Sequence, residues 1–130
     1  PVNSLLQFSE AARYVFSRCI ALDKITLPNS LTLIPPNLFN GCVSLTSITI
    51  PGLVNDISDS AFIGCSNLVD VTFDGSVSKL ATITVSTNAF TNNSLNMVIT
   101  YQGGSQIQNS NFETKIDDAC TNNPVNYVIT

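Results

Sequence analysis

The amino-acid sequence predicts an α/β solenoid, a stack of coils in which each coil adds one strand to a parallel sheet. Phenylalanine, cysteine and leucine recur every 23 residues, at Phe16, Cys19 and Leu22, at Phe39, Cys42 and Leu45, and at Phe62, Cys65 and Leu68. A repeat period of about 20 to 50 residues is typical of solenoids. One coil cannot enclose its own apolar side chains, so each coil has to stack on a neighbour.

The repeat continues toward the C-terminus at longer intervals. A shift of 28 carries one set of apolar positions to the next, from Phe62, Val71 and Phe73 to Phe90, Ile99 and Tyr101. The additional residues fit in the link over 75–86. A shift of 30 then carries Ala89, Asn93 and Thr100 to Ala119, Asn123 and Thr130. About five coils are readable, more than the roughly three that a stable stack requires.

Alternation of apolar and polar residues locates the strands. It predicts parallel strands near 24–28, 47–51, 70–74, 97–101 and 126–130. In the second of these, Ile48 and Ile50 face one way and Ser47 and Thr49 the other. Pro51 ends that strand, because proline has no N–H to donate to a ladder.

Short helical or irregular returns join the predicted strands. Helical turns are expected over 9–16, near 60–63 and over 112–119, and Ser9 is a plausible cap of the first. The Gly-Cys pairs at 41–42 and 64–65 suit tight turns back to the next strand. Phe39, Phe62 and Phe90 should be buried in register, since they occupy one position of the repeat.

Length and composition fit one domain over residues 1–130, with 44% apolar residues available for a core. We divide it into a cap-like N-terminal coil over 1–18, regular repeats over 19–101 and an irregular C-terminal coil over 102–130. The chain begins with Pro1 rather than Met and ends inside a predicted strand. We therefore expect it to be a mature or excised piece of a longer protein.

The charged residues and the absence of histidine argue against several functions. Nine acids and five bases give a net charge of −4, whereas nucleic-acid binding normally needs a basic face. Without histidine, Ser-His or Cys-His nucleophiles and mixed Cys/His zinc sites are excluded. The candidate acid pairs, Asp70 with Asp74 and Asp56 with Asp59, suit solvated coil edges better than catalysis. The sequence predicts no enzyme, no cofactor and no metal site, and no apolar run approaches the ~20 residues of a membrane span.

The cysteines at the repeat interval allow two interpretations. Cys19, Cys42 and Cys65 should stack as a ladder along the axis, because adjacent strands lie about 4.8 Å apart. A disulfide or a metal site would need suitable Cβ directions in addition to proximity. We favour buried, reduced thiols, with Asn93 continuing the ladder through amide hydrogen bonds.

The outward row of the predicted sheet is the best candidate for partner binding. A threonine row comprises Thr26, Thr49, Thr72 and Thr100, and Thr130 would extend it. A variable row beside it comprises Lys24, Ser47, Asp70, Val98 and Val128. Threonine also favours pleated, half-exposed surfaces for structural reasons alone, so the variable row carries more functional information.

Two further features have a structural and a functional interpretation. A strand edge at Thr130 either pairs with a further coil of a longer protein or is open to a partner's strand. The triplet Asn92-Asn93-Ser94 is a glycosylation acceptor in a eukaryotic secretory route, and otherwise a polar turn.

Two stretches resemble the BspA-like leucine-rich repeats of bacteria and protists. These are Leu38-Phe39-Asn40-Gly41-Cys42-Val43-Ser44-Leu45 with Ile48-Thr49-Ile50-Pro51, and Ala61-Phe62-Ile63-Gly64-Cys65-Ser66-Asn67-Leu68 with Val71-Thr72-Phe73. The resemblance implies a right-handed superhelix with the parallel sheet on its concave face. It also implies a surface or secreted protein that binds host proteins, extracellular matrix or other cells. The later coils depart from the pattern, since Asn93 replaces the expected cysteine.

Two functional hypotheses follow, from different classes. The first is an extracellular or cell-surface binding module, whose concave sheet binds a protein or glycan on another surface without inserting into a membrane. The second is a structural spacer or an assembly component of a surface fibre or particle coat. Charge reversal at Lys24 and Asp70 should weaken partner binding if the first hypothesis holds. Changes at Arg13 or Tyr127, near the coil ends, should disrupt association if the second holds.

Overall fold

Two parallel sheets form the framework of residues 14–120 and 123–130, the part of the chain that the computed structural model describes. In chain order, the elements are β1 (Leu33–Ile34), β2 (Ser47–Ile50), β3 (Asp56–Ile57), β4 (Asp70–Ser76), α1 (Val77–Leu80), β5 (Thr84–Val85), β6 (Val98–Gln102), α2 (Gln106–Ala119) and β7 (Asn126–Ile129). The larger sheet has the order β2-β4-β6-β7, and the smaller sheet the order β1-β3-β5. Two successive repeats therefore add a strand to each sheet, β2 and β3 from one repeat and β4 and β5 from the next.

The register of β2, β4 and β6 follows the sequence repeat. Ile48 pairs with Val71, and Val71 pairs with Ile99. These side chains are buried, because alternate residues of a strand point to the same face. The predicted strands at 47–51, 70–74, 97–101 and 126–130 are confirmed as parallel strands.

The prediction of a strand at 24–28 is wrong, because these residues form no strand. The N–H of Thr46 donates to the carbonyl of Asp23 at 3.4 Å, but the residues that follow Asp23 do not join the ladder of β2. The segment lies beside β2 at the edge of the larger sheet. It also ends at Pro28, which has no N–H to donate. Alternation alone was insufficient, because a ladder also needs paired backbone groups.

The predicted register of the last strand is also wrong. A shift of 30 would place Val128 beside Val98 and Thr130 beside Thr100, whereas Val98 pairs with Asn126 and Thr100 with Val128. The shift of 30 does hold in the preceding turn, where the N–H of Asn93 donates to Oδ1 of Asn123. The link from turn to strand is two residues shorter in the last coil, 124–125 against 94–97, so the strand register changes to 28.

A column of phenylalanine rings runs through the core. Phe16 stacks on Phe39 with ring centroids 5.6 Å apart, Phe39 on Phe62 at 5.2 Å, and Phe62 on Phe90 at 5.1 Å. The predicted burial of Phe39, Phe62 and Phe90 is confirmed, since all three are 0% exposed. Offset stacking of this kind adds to the free energy gained by burying the rings.

Helix α2 closes the core at the C-terminal coils. It begins six residues before the helix predicted over 112–119, because Ser105 and Gln108 form a capping box at its N-terminus. Phe112 of α2 contacts Phe73 and Tyr101, with ring centroids 5.1 and 4.7 Å away. The expected helical turn near 60–63 is a non-helical turn. Most of the expected helix over 9–16 lies outside the described residues.

In the first four repeats, two positions adopt the left-handed backbone conformation. The first recurs at Tyr14, Asn37, Ser60 and Asn88, and the second at Arg18, Gly41, Gly64 and Asn92. Glycine adopts this conformation without the Cβ clash that other residues incur. Asparagine tolerates it better than most, which explains how Asn92 replaces the glycine of the Gly-Cys pair.

Candidate functional site

The outer face of the larger sheet presents two rows of side chains in register. Ser47, Asp70, Val98 and Asn126 form one row, and Thr49, Thr72, Thr100 and Val128 form the next. Residues between them, such as Ile48 and Ile50, point into the core. The structure thus places six of the predicted binding residues together on one face: Ser47, Thr49, Asp70, Thr72, Val98 and Thr100.

The remaining predicted residues do not occupy their predicted places in these rows. Lys24 and Thr26 are exposed and belong to the segment beside β2 that is outside the ladder. Val128 lies in the threonine row rather than the variable row, and Thr130 lies beyond the end of β7. Asn126 takes the place predicted for Val128, because the link over 124–125 is two residues shorter than the link over 94–97.

The outer face is polar and its side chains are available to a partner. Thr49 and Asp70 are exposed, and Ser47, Thr72 and Thr100 are half-buried. Within the described part of the chain, the side chains of Thr49, Thr72 and Thr100 make no hydrogen bond to the protein. Three hydroxyl groups at the spacing of adjacent strands, about 4.8 Å, therefore form a regular array of donors and acceptors.

A pocket interrupts this face beside β2. It has a volume of about 240 Å3 and is lined by Ile25, Thr26, Leu27, Asn29, Thr49, Pro51 and Asp74. Sequence reasoning missed Asn29 as a site residue and treated Asp74 only as a solvated acid. A signal was present, because Asp70, Thr72 and Asp74 alternate along β4 and must share one face.

The repeated cysteines are structural hydrogen-bond donors. The thiol of Cys42 donates to the carbonyl of Phe16 at 2.9 Å, and the thiol of Cys65 to the carbonyl of Phe39 at 3.0 Å. The amide of Asn93 continues the ladder by donating to the carbonyls of Phe62, at 2.8 Å, and Cys65, at 3.3 Å. The predicted role of Asn93 is confirmed, as is the burial of Cys42 and Cys65.

Burial also determines the chemistry of these thiols. Cys19 is only half-buried, contrary to the prediction, because it lies at the first described turn of the stack. Desolvation raises the pKa of the Cys65 thiol to about 12, and the neighbouring Cys42 adds to the effect. A protonated, buried thiol is a poor nucleophile and a poor metal ligand. All four cysteines are unpaired, and the described residues contain no group of three or more potential metal ligands.

Hydrogen bonds fix α2 and β7 together at the last coil. The hydroxyl of Tyr127 donates to Asp117 Oδ1 at 2.6 Å and contacts the carbonyl of Glu113 at 3.0 Å. The hydroxyl of Tyr101 donates to the carboxylate of Glu113. Burial, reinforced by Asp117, raises the pKa of Tyr127. Tyr127 is therefore a packing residue, and it is less suited to a test of surface contacts than the sequence indicated.

Strand β7 forms the edge of the larger sheet in the described part of the chain. Its Val128 is 48% exposed and its Ile129 51% exposed. Ile129 also borders a hollow along α2, together with polar residues that include Gln106, Asn109 and Asp117. This edge is a second surface on which contacts with another chain are physically feasible.

Comparison with known proteins identifies the repeat. A family model described as the BspA type leucine rich repeat region matches residues 6–118 in six copies. No curated protein and no solved structure shows a significant match to the chain. Among the residues with described structure, no helix is both long and apolar enough to cross a membrane. The match covers most of the sequence and agrees with the parallel sheets and the phenylalanine column, so the chain belongs to the BspA-type leucine-rich repeat family.

Proposed function

We propose that the chain is a non-enzymatic binding module at the cell surface or outside the cell, which binds a protein or glycan on another surface. Leucine-rich repeats generally mediate protein binding, and this family is typically not enzymatic. The observation that carries the proposal is the outer face of the larger sheet. Its two rows of side chains are in register and include hydroxyl groups that the protein itself does not use.

The proposal includes the shape of the molecule. We take residues 1–130 as one domain that winds as a right-handed superhelix of about five coils, with the larger sheet on the concave side. The sheet's backbone is held by ladders on both sides of β4 and β6, so its side chains are presented with little loss of conformational entropy on binding. The partner-binding residues are Lys24, Thr26, Ser47, Thr49, Asp70, Thr72, Val98 and Thr100.

The exposed edge at β7 favours a second candidate function, assembly into a surface fibre or particle coat. Val128 and Ile129 expose apolar surface on an edge strand, and such edges readily accept another strand. In that function, the outer face of the sheet would bind no partner, and the edge at β7 would contact the neighbouring copy or coat protein.

Paired variants separate the two functions. The face variant carries Lys24→Glu and Asp70→Lys, which reverse two exposed charges while leaving the net charge of the pair unchanged. The edge variant carries Ile129→Lys, which leaves Val128 and the rest of the outer face unchanged. Both are compared with the unmodified chain for binding to a panel of extracellular-matrix proteins and immobilised glycans, after thermal melting has verified the fold.

We expect the face variant to lose partner binding and the edge variant to keep it. Substitution of exposed residues usually changes stability by no more than about 0.5 kcal/mol, so unfolding will not explain the loss. Binding that survives in the face variant and disappears in the edge variant would reject the outer face and support assembly.

A further inference from the structure

The pocket beside β2 exists because the 24–28 segment does not pair with that strand. Its buried lining residues, Leu27 and Pro51, form the base. Its exposed lining residues, Thr26, Asn29, Thr49 and Asp74, form the rim. The volume of about 240 Å3 is below the roughly 300–1,000 Å3 of small-molecule sites, so a single side chain is the better fit.

The backbone of β4 directs Asp74 into this pocket. Strand β2 ends at Ile50, paired with Phe73, whereas β4 continues to Ser76. Pro51 borders the pocket together with Asp74 and has no N–H to offer to its carboxylate. Between Phe73 and Ser76 the register with β6 shifts as well, so Asp74 lies at an irregularity of the sheet.

The rim has unused capacity to accept hydrogen bonds. In the described part of the chain, Asp74 has no ion-pair partner, and the side chains of Thr26, Asn29 and Thr49 make no hydrogen bond to the protein. Two carboxylate oxygens, one amide oxygen and two hydroxyl oxygens therefore surround an apolar base. A ligand rich in donors, carrying a positive charge and an apolar stem, complements this arrangement.

We propose that the pocket binds an arginine side chain of a protein partner that docks on the outer face of the sheet. The guanidinium group has five N–H donors and no acceptor, and it pairs with a carboxylate through two parallel hydrogen bonds. Its methylene stem packs against apolar surface such as that of Leu27 and Pro51. Thr49 belongs both to the pocket and to the threonine row, so a partner on the face reaches the pocket directly.

This inference rests on the proposed function, because it selects a protein rather than a glycan as partner. The net charge of −4 agrees with it, since complementary charge guides a basic partner to an acidic surface. Lysine offers only three donors around one point charge and fills the rim less completely, so arginine is the preferred side chain.

Titration of the 15N-labelled chain with acetyl-Gly-Arg-Gly-amide tests the pocket without knowledge of the natural partner. The citrulline peptide is the matched control, since it keeps the shape of arginine and removes its charge. We expect saturable amide shifts at Thr26, Asn29, Thr49 and Asp74 with the arginine peptide. The lysine peptide should bind more weakly, and the citrulline peptide should give no saturable shifts.

Two variants assign the binding to this pocket. Asp74→Asn should weaken the arginine peptide about tenfold or more, because a charge-assisted hydrogen bond is lost. Asp59→Asn removes an equal charge from an exposed residue outside the pocket and should leave the affinity unchanged. Thr26→Val provides a second substitution in the rim, and thermal melts verify that all three variants are folded.

The inference is overturned if the citrulline peptide binds as well as the arginine peptide, if lysine binds more tightly, or if Asp74→Asn has no effect. Its failure is distinct from failure of the proposed function. Partner binding that depends on Lys24 and Asp70, with no arginine-peptide binding, rejects the pocket alone. If the arginine peptide binds but no partner binding depends on Lys24 and Asp70, the outer face is rejected as the partner-binding surface and the pocket is retained.

Discussion

At the scale of single residues, two different side chains perform one task in the core. The thiols of Cys42 and Cys65 and the amide of Asn93 each donate to the carbonyl of a phenylalanine in the preceding coil. Each of these carbonyls also accepts the backbone N–H of the residue three positions further on, so the side chain supplies a second, buried hydrogen bond, which contributes about 0.5–1.5 kcal/mol. Cysteine makes this hydrogen bond without burying an unpaired polar atom. Asparagine does bury one, because Asn93 Oδ1 has no partner in the described part of the chain.

Substitution of Asn93 tests this assignment. Asn93→Ala should lower the free energy of unfolding by about 1–3 kcal/mol, because the carbonyls of Phe62 and Cys65 each lose one of two hydrogen bonds, and each bond contributes about 0.5–1.5 kcal/mol. Asn93→Cys restores the thiol of the earlier coils and should be the more stable of the two variants, by about 1 kcal/mol. Urea unfolding measures both. Equal stability of the alanine and cysteine variants would contradict a donor role.

The buried thiols also predict a loss of stability at high pH. Burial raises the pKa of Cys65, and likewise that of Cys120, to about 12 from an ordinary value of 9.0. Below pH 9 the thiols are protonated in both states and stability is unaffected. Above pH 9 the unfolded chain loses these protons first, so stability falls by about 1.4 kcal/mol per pH unit for a fully buried thiol such as Cys65.

Urea midpoints measured between pH 8 and pH 11 verify the direction. The half-buried Cys120 should contribute less than Cys65, because solvent reduces its desolvation. Cys65→Val removes the larger contribution and serves as the control, so its decline should be shallower. A decline as steep as that of the unmodified chain would show that other groups cause the alkaline loss.

At the scale of structural elements, the turns of the first four coils depend on two residues with left-handed backbone. Gly64 has φ +76°, and a Cβ there would lie 3.6 Å from the backbone of Gly41 in the preceding coil. Arg18 occupies the same position of the first described turn with φ 58°. Residues other than glycine are strained in this conformation by roughly 1–2 kcal/mol.

Exchange of residues at this position should change stability in opposite directions. Gly64→Ala should destabilise the protein by about 1–2 kcal/mol, because the φ angle strains any side chain. Arg18→Gly should stabilise it by up to about 1 kcal/mol, since it removes the same strain at an exposed position. Thermal melts of the two variants provide the comparison. A destabilising Arg18→Gly would mean that contacts of the arginine side chain outweigh its backbone strain.

The elements also show what the sequence could predict and what it could not. Strands β2, β4 and β6 follow from alternation combined with the repeat, because their neighbours on both sides keep the same register. The segment 24–28 has the same alternation as 47–51, yet it lies outside the ladder, since pairing depends on a neighbouring backbone. The register of β7 depended on the length of the link over 124–125 rather than on residue identity.

The candidate site could also be predicted only in part from the sequence. The face formed by Ser47, Thr49, Asp70 and Thr72 follows from strand periodicity, and the structure places these residues together. Alternation along β4 indicated that Asp74 shares this face, whereas the pocket beside it could not be predicted, because it arises where strand pairing fails. The hydrogen-bonding role of Asn93 was accessible, since it occupies the cysteine position of the repeat.

At the scale of the whole molecule, two surfaces compete for the functional role, the outer face of the larger sheet and the edge at β7. The face is polar and held by ladders, whereas the edge exposes apolar Val128 and Ile129. Self-association that joins the β7 edge of one copy to the opposite edge of the next would be heterologous and would extend into a fibre, because those two edges are different surfaces. The proposed function assigns binding to the face, so the edge should not drive association.

Sedimentation tests this assignment. The unmodified chain and the edge variant, Ile129→Lys, should sediment alike over a wide range of concentration. Large species formed by the unmodified chain and abolished in the edge variant would support assembly instead. The face variant, Lys24→Glu with Asp70→Lys, is the control and should not alter sedimentation in either case.

The ladder has a further consequence for the route by which the chain folds. Its hydrogen bonds join residues 26 apart at Cys42 and Cys65 and 31 apart at Asn93. The entropy of loop closure rises slowly with length, so these closures differ by only about 0.2 kcal/mol. Chain topology therefore favours no particular pair of coils as the nucleus. Folding can begin wherever two adjacent coils first dock and then spread in either direction, with local packing deciding which pair docks first.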